Sequence, residues 1–459
     1  MSFSPPLAAA WAPAVRATSW TRAANVPALA LPVLFLHVHY QPQVHFELAS
    51  TSVGIELSDV AVLVVAVAAA IVGFREGWAP LRPALGLWLA GGAFLALVFT
   101  RTFTTTYAGD DVLAHAVTAA KFCEYALLAV ALPLLLRRRG EVRPLLWSLA
   151  LVSAGATAWA LLQFAGVVDE FAGRRPLQRE PSFVGIHDFA ALSGAAFATA
   201  VCALVARRRE DLRLAAVAGV AGLLGLVLAG AAAAIVGVAA ALLAIAVLAS
   251  AQRVVGRRVV AGAAAAVVLA AAGIGVLRGG EFARTARAFG IGAHARASKG
   301  VQSYEERSVL AYIGVRIFLA HPLVGVGWEG SAEAASYGPE LPAAHRAFPN
   351  TAPIAFPSPA HPWGVQNAYL QTLADLGVAG ALALIALAVA TGVLGVRAVR
   401  RAPGLDVARA AGLLWVLVAA GVWGALGLVA GIPLDALTCL GLGLVAATAA
   451  WAAELEPPR

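Results

Sequence analysis

Charge is scarce in this sequence. Asp, Glu, Lys and Arg make up 13% of its 459 residues, about half of what a soluble domain carries. That shortfall excludes an ordinary soluble globular protein. Cysteine is scarce as well: Cys123, Cys202 and Cys439 each fall within an apolar run, with neither zinc spacing nor a disulfide framework. The chain has no Walker A sequence, no dinucleotide-binding fingerprint and no GxSxG elbow. This argues against an ATPase and against a hydrolase of the elbow type. Carboxylates inside the apolar runs are too few for an evident proton relay, which argues more weakly against an ion-coupled transporter.

What the chain does have is apolar length. It is 61% hydrophobic, with a mean hydropathy of +0.81. Runs of about 17–25 apolar residues recur, the length a helix needs to cross a bilayer. They lack the period-two alternation of a membrane barrel, and only helices or closed barrels can span lipid. The expected fold is therefore all-α, a polytopic membrane helix bundle of about twelve transmembrane helices. The spans are expected near 24–38, 57–74, 84–100, 112–136, 145–165, 186–206, 213–229, 231–250, 259–276, 378–396, 408–430 and 434–452. The first is the weakest, and its long, proline-containing lead-in does not read as a cleavable signal peptide. Small residues around Gly230 separate the seventh from the eighth; reading that pair as one span would invert everything after it.

The net charge of +8 reflects topology signals here rather than nucleic-acid binding. With the N-terminus in the cytoplasm, the inner loops and termini hold 20 of the 33 Lys and Arg, and the short outer loops hold four. This follows the positive-inside rule and places both termini in the cytoplasm. All nine histidines then fall at or beyond the outer ends of spans.

One long polar stretch interrupts the apolar pattern. It divides the chain into an N-terminal bundle of nine spans (1–276), an extracytoplasmic loop (277–377) and a C-terminal bundle of three spans (378–459). The loop has a basic run, an amphipathic helix over Glu305–Ala320, and a turn at His321-Pro322-Leu323-Val324-Gly325-Val326-Gly327. A Pro-rich part follows, and Gln366-Asn367-Ala368-Tyr369 leads into the tenth span. Val309, Leu310, Ile313, Ile317 and Phe318 give the amphipathic helix an apolar stripe suited to the outer leaflet.

Several polar residues invite a chemical reading. Arg174, Arg175 and Arg179 crowd an outer loop otherwise poor in cations. Their planar forks of donors suit an anionic lipid headgroup, and the plain alternative is a solvated loop with Arg179 beside Glu180. Arg307 and Arg316 are nine positions apart, which at about 100° per residue sets them on opposite helical faces. His187-Asp188 opens the sixth span close to the arginine loop, where a helix start favours anions. Lys121 and Glu124, one turn apart inside a span, read most simply as an internal ion pair. His321-Pro322 with Gly325 and Gly327 reads as a helix stop and tight turn.

Arg307, then Pro322 in His-Pro-Leu-Val-Gly-Val-Gly, then Asn367-Ala-Tyr-Leu-Gln-Thr-Leu-Ala-Asp-Leu-Gly-Val-Ala-Gly resembles the O-antigen ligase and polymerase superfamily. The likeness extends to the twelve-span plan, the long outer loop before the tenth span, Arg179 ahead of Phe189-Ala190, and Leu57-Ser58-Asp59 at the second span. The resemblance implies a bacterial inner-membrane glycosyltransferase. Its donor is a glycan on undecaprenyl pyrophosphate, its acceptor a glycan or lipid hydroxyl, and it needs neither a cofactor nor an obligatory metal. Membrane lipids are its surroundings and nucleic acid is no partner. By motif match Arg307 is the pyrophosphate ligand, and Arg179 or its neighbours Arg174 and Arg175 the second; Arg316, which has no motif match, and His187, by its place at a helix start, are further candidate substrate contacts.

The chain departs from the family pattern at Gln366, where ligases commonly carry His before the Asn. An amide can orient a hydroxyl but has no usable pKa near neutrality. Gln366, Asn367 and His361 are the residues expected around the acceptor, and three readings stand: His361 supplies the base, the reaction relies on leaving-group stabilisation with Gln366 only orienting the acceptor, or the protein is not a ligase. Two rivals from other classes remain, a transporter or flippase of lipid-linked glycan or a small anion, and a non-catalytic scaffold in an envelope complex.

Overall fold

The computed structural model describes residues 23–48, 51–104, 111–173, 176–252, isolated positions between 262 and 273, 303–401, 404–428 and 432–454. The order of elements is α1 (Val26–Leu34), the strands β1 (Gln43–Leu48) and β2 (Thr51–Glu56), then α2 (Leu57–Glu76), α3 (Leu85–Phe103), α4 (Asp111–Leu135), α5 (Val142–Phe164), α6 (Ile186–Ala206), α7 (Leu212–Ala229) and α8 (Ala232–Ala251). The loop contributes α9 (Ser303–Ala320), α10 (Ala334–Tyr337) and α11 (Leu341–Ala347), and the chain ends with α12 (Ala368–Arg400), α13 (Val407–Trp423) and α14 (Ile432–Glu454). The fold is an all-α membrane bundle with one small antiparallel hairpin, in which Phe46 pairs with Val53.

Nine helices among the described residues are long and apolar enough to cross a bilayer. The expected count of twelve differs from this at three places. The span expected at 24–38 is a nine-residue helix with Pro32 inside it. Nine residues rise about 14 Å, short of the roughly 30 Å hydrocarbon core. Val407–Trp423 is apolar but has 17 residues, and the span expected at 259–276 lies largely outside the described residues. The seventh and eighth spans are separate helices. Gly230 has φ +57 and donates its N–H to Leu226 O, ending α7 before α8 begins.

Helix α6 and helix α14 are almost wholly buried and form the centre of the bundle. Aliphatic residues from α1, α2, α4 to α8, α13 and α14 make one continuous core around them. Small residues set how closely the helices approach, as expected where lipid supplies no hydrophobic drive between helices. A Cβ on Gly421 of α13 would lie 2.3 Å from the Gly237 nitrogen of α8, so these two backbones touch.

Two expectations are corrected. Lys121 does not pair with Glu124; its Nζ lies 3.1 Å from Asp59 Oδ2 and 3.9 Å from Glu56 Oε1. The physical reason is that Asp59 and Glu56 open α2 and face α4 directly. Glu56 is pushed above its ordinary carboxylate value by burial, and Lys121 opposes that shift. The apolar stripe of α9 is not left to lipid. Val309, Leu310, Ile313 and Ile317 are buried, and Tyr337, Ala344 and Phe356 of the loop close over Val309, Ile313 and Ile317 together with Ala374 of α12.

Candidate functional site

The site begins with how the loop is held on the bundle. In α12, Gly377 has φ +63 and ψ −159, which breaks the helix after its first nine residues. The 321–327 turn is paired with this break, backbone to backbone. Val326 N–H donates to Ala374 O at 3.0 Å and Gly327 N–H to Asp375 O at 2.8 Å. Val378 N–H donates to Pro322 O at 2.8 Å and Ala379 N–H to Leu323 O at 3.1 Å. Side chains would prevent this. A Cβ on Gly325 would lie 2.3 Å from the Asp375 carbonyl carbon, and one on Gly377 would lie 2.5 Å from that of Leu323. The two glycine-bearing motifs thus form one joint, with amide groups freed by the break satisfied across it. Arg101, at the end of α3, donates to Val324 O at 3.1 Å and Gly325 O at 3.2 Å. Asp375 reaches on to Ser331 N–H at 2.9 Å and Gln371 Nε2 at 3.0 Å.

Helix α9 runs from this joint back to the site. Glu305 and Glu306 stand in its first turn, where carboxylates are favoured by the helix dipole. Gly314 lets Val365 sit against the helix; a Cβ there would lie 2.8 Å from Val365 Cγ2. The residue after Val365 is Gln366, and this packing delivers it to the start of α9.

There a polar cluster forms from three segments. Arg307 Nε donates to Gln366 Oε1 at 3.1 Å. Arg307 Nη2 stands 3.2 Å from His187 Nε2 at the start of α6. A guanidinium only donates, so His187 Nε2 accepts in this contact. Gln366 Nε2 donates to Glu306 Oε1 at 3.3 Å. Burial pushes the Glu306 carboxyl above its ordinary range, and Arg307 and the Gln366 amide oppose that shift. All four side chains are half-buried, so the cluster is fixed by packing yet open to a ligand.

The other residues singled out from the sequence lie as follows. Arg316 is exposed and pairs with Glu340, on the face of α9 away from Arg307. Asn367 caps α12: its Oδ1 accepts from Tyr369 N–H at 3.1 Å and Leu370 N–H at 3.0 Å, and its Nδ2 donates to Gly424 O at 2.9 Å. His361 is exposed in a tight turn paired with Ser358, and its ring stacks with Trp363 at 6.0 Å between centroids. Among the described residues it makes no hydrogen bond or ring contact with Arg307, Gln366 or His187. Arg179 is half-buried eight residues before His187, while Arg174 and Arg175 lie outside the described residues. Asp188 turns from the cluster and accepts from Leu434 N–H at 3.1 Å.

Sequence reasoning missed two attachments. His115 of α4 stands 3.0 Å from Glu333 and 3.7 Å from Glu329, and Trp328 Nε1 donates to Thr118 Oγ1 at 3.0 Å. These fasten the loop to α4. His115 was visible as a histidine at an outer span end, but its partners lie 214 and 218 residues further on in the loop and had no signal of their own. Glu306 was missed as well, since the sequence offered it only as the neighbour of Arg307.

Residues 217–385 match the family model described as O-antigen ligase. The matched stretch runs from within α7 to the middle of α12, and so contains Arg307, the 321–327 turn, Gln366 and Gly377. No curated protein matches the chain.

Proposed function

We propose that the chain is a membrane glycan-processing enzyme of the O-antigen ligase superfamily, supported by the match of residues 217–385 to that family's model, and that it transfers or polymerises undecaprenyl-pyrophosphate-linked glycan on the outer face of the bacterial inner membrane. The observation that carries this reading is the seating of Arg307 against Gln366 and His187, where the loop meets the starts of α6 and α12. The fork of a guanidinium suits a pyrophosphate. Gln366 Oε1 and His187 Nε2 orient that fork, as groups around a preorganised cation must. The outer face rests on the distribution of cations, 20 in the expected inner loops and termini against four in the short outer loops.

In the reaction an acceptor hydroxyl attacks the anomeric carbon of the donor. The new C–O bond forms as the bond from that carbon to the phosphate oxygen breaks, and undecaprenyl pyrophosphate leaves with the bonding pair. Arg307 takes up the growing negative charge, and Arg179 is the second cation of the reading. Arg316 is held by Glu340 on another face and has no part in it.

The test is the comparison of surface glycans and lipid-linked intermediates between a deletion strain and its parent. Loss of a ligase leaves long lipid-linked chains, and loss of a polymerase leaves single repeat units. Units trapped on the cytoplasmic side would instead mark a flippase and overturn the reading.

A further inference from the structure

Transfer to a hydroxyl releases a proton, and the residue at the usual histidine position is an amide. Gln366 is also engaged at both ends: its oxygen accepts from Arg307 at 3.1 Å and its nitrogen donates to Glu306 at 3.3 Å. This orientation is forced, because a guanidinium can only donate and a carboxylate only accept. Gln366 therefore cannot take a proton, and its geometry is that of a bridge.

The bases within reach of the cluster are few. His187 Nε2 is occupied in accepting from Arg307. His361 is outside the cluster, stacked on Trp363 in an exposed turn. Among the described residues Glu305 makes no hydrogen bond to Gln366. Glu306 remains. Its Oε1 is held by the Gln366 amide, its second oxygen makes no hydrogen bond to the described residues, and it is adjacent in the helix to the arginine that receives the leaving group.

We propose that Glu306 is the general base that accepts the proton of the acceptor hydroxyl, with Gln366 acting as a positioning residue that sets this carboxylate and the Arg307 guanidinium in a fixed relation. The inference rests on the glycosyl-transfer reading above. The acceptor oxygen forms its bond to the anomeric carbon, its proton passes to a Glu306 oxygen, and the pyrophosphate departs with the pair from the broken C–O bond. The groups facing Glu306 are consistent with that work. Arg307 on its own helix favours the ionised form, burial opposes it, Gln366 ahead of α12 donates to it, and His187 of α6 lies beyond Arg307. The result is a carboxylate with more proton affinity than one in open water, which is what a base working near neutral pH needs. It is half-exposed, so a hydroxyl can reach it.

The experiment uses the full chain in detergent, mixed with membranes of the deletion strain, which hold the accumulated lipid-linked glycan and the natural acceptor. Transfer is followed across pH 5–9, and binding of undecaprenyl pyrophosphate is measured separately. The wild-type rate is expected to rise with pH as the base ionises. Glu306→Gln is expected to lose roughly 100- to 10,000-fold in turnover, to lose the rising limb, and to keep its affinity for undecaprenyl pyrophosphate within about threefold, since Arg307 is intact. Glu306→Asp should recover part of the turnover and the limb. Thermal melting of each variant separates misfolding from lost chemistry. If wild type transfers glycan and Glu306→Gln keeps its rate and its pH limb, Glu306 is not the base and the transfer reading survives. If Glu306→Gln loses turnover and binding together, its role is structural. If wild type transfers nothing, the reading falls and this inference with it.

Discussion

Arg307 and Gln366 are 59 residues apart in the chain and 3.1 Å apart in space, guanidinium Nε to amide oxygen. The contact ties the second turn of a loop helix to the residue two places before a membrane helix. Without the joint between Gly325 and Gly377, α9 would have no fixed approach to Gln366.

The first prediction concerns the cation. Arg307→Ala should cut glycan transfer by about 100- to 1000-fold, the scale of losing one preorganised charge contact, with normal amounts of protein in the membrane. Arg307→Lys should recover little, because a point charge does not reproduce the fork that meets Gln366 and His187 together. Arg316→Ala should change transfer by less than about fivefold, since an ion pair open to solvent contributes little. Near-normal transfer by Arg307→Ala, with immunoblots confirming expression, would remove it from the site.

The bridge should show in the neighbouring loop. Gln366→Ala is expected to lower turnover by about 10- to 1000-fold, the scale of a lost positioning bond. Gln366→His should retain more activity than Gln366→Ala, because an imidazole can still meet Arg307 or Glu306. His361→Ala should have a modest effect, given its exposed turn and its separation from the cluster. The reverse ranking in the same transfer assay would put the acceptor chemistry at His361.

The joint itself is testable by stability. Gly377→Ala should destabilise by more than about 1 kcal/mol, because alanine disfavours positive φ and its Cβ would meet the Leu323 carbonyl carbon at 2.5 Å. Gly392→Ala, further along α12 with nothing within 4 Å of a Cβ, should be neutral or stabilising by up to about 1 kcal/mol. Equal melting temperatures for the two variants in detergent would contradict the packed joint.

Topology gives the last prediction. A reporter inserted within 332–360 should read as extracytoplasmic, and reporters after Arg139 and Arg400 as cytoplasmic. The charge asymmetry of the loops is the reason. A cytoplasmic signal from the 332–360 insertion would invert the orientation and remove the proposed substrate from this face.

Much was legible in the sequence because lipid leaves the backbone few options. A run of apolar residues that must satisfy its own amides becomes a helix, so eight of the expected spans appear close to their predicted limits. The break at Gly230 was legible for the same local reason, as was the opposition of Arg307 and Arg316, which follows from helical period alone. The lengths of α1 and α13 were less so, since Pro32 and the end of a packed helix act on the last turns.

What the chain could not say in one dimension was who meets whom. The stripe of α9 has the same pattern whether it faces lipid or Tyr337 and Phe356, because hydrophobic burial has no direction. Lys121 had an acid one turn away and took two others, Glu56 at the end of β2 and Asp59 in α2. Gln366 read as a weakened catalytic position, and the structure makes it the link between Arg307 and Glu306. Hydrogen bonds act over about 3 Å, so a partner 60 residues away is chosen only when helices pack and glycines let their backbones close. Local period and apolar length settled the elements; the joint at Gly325 and Gly377 decided the site.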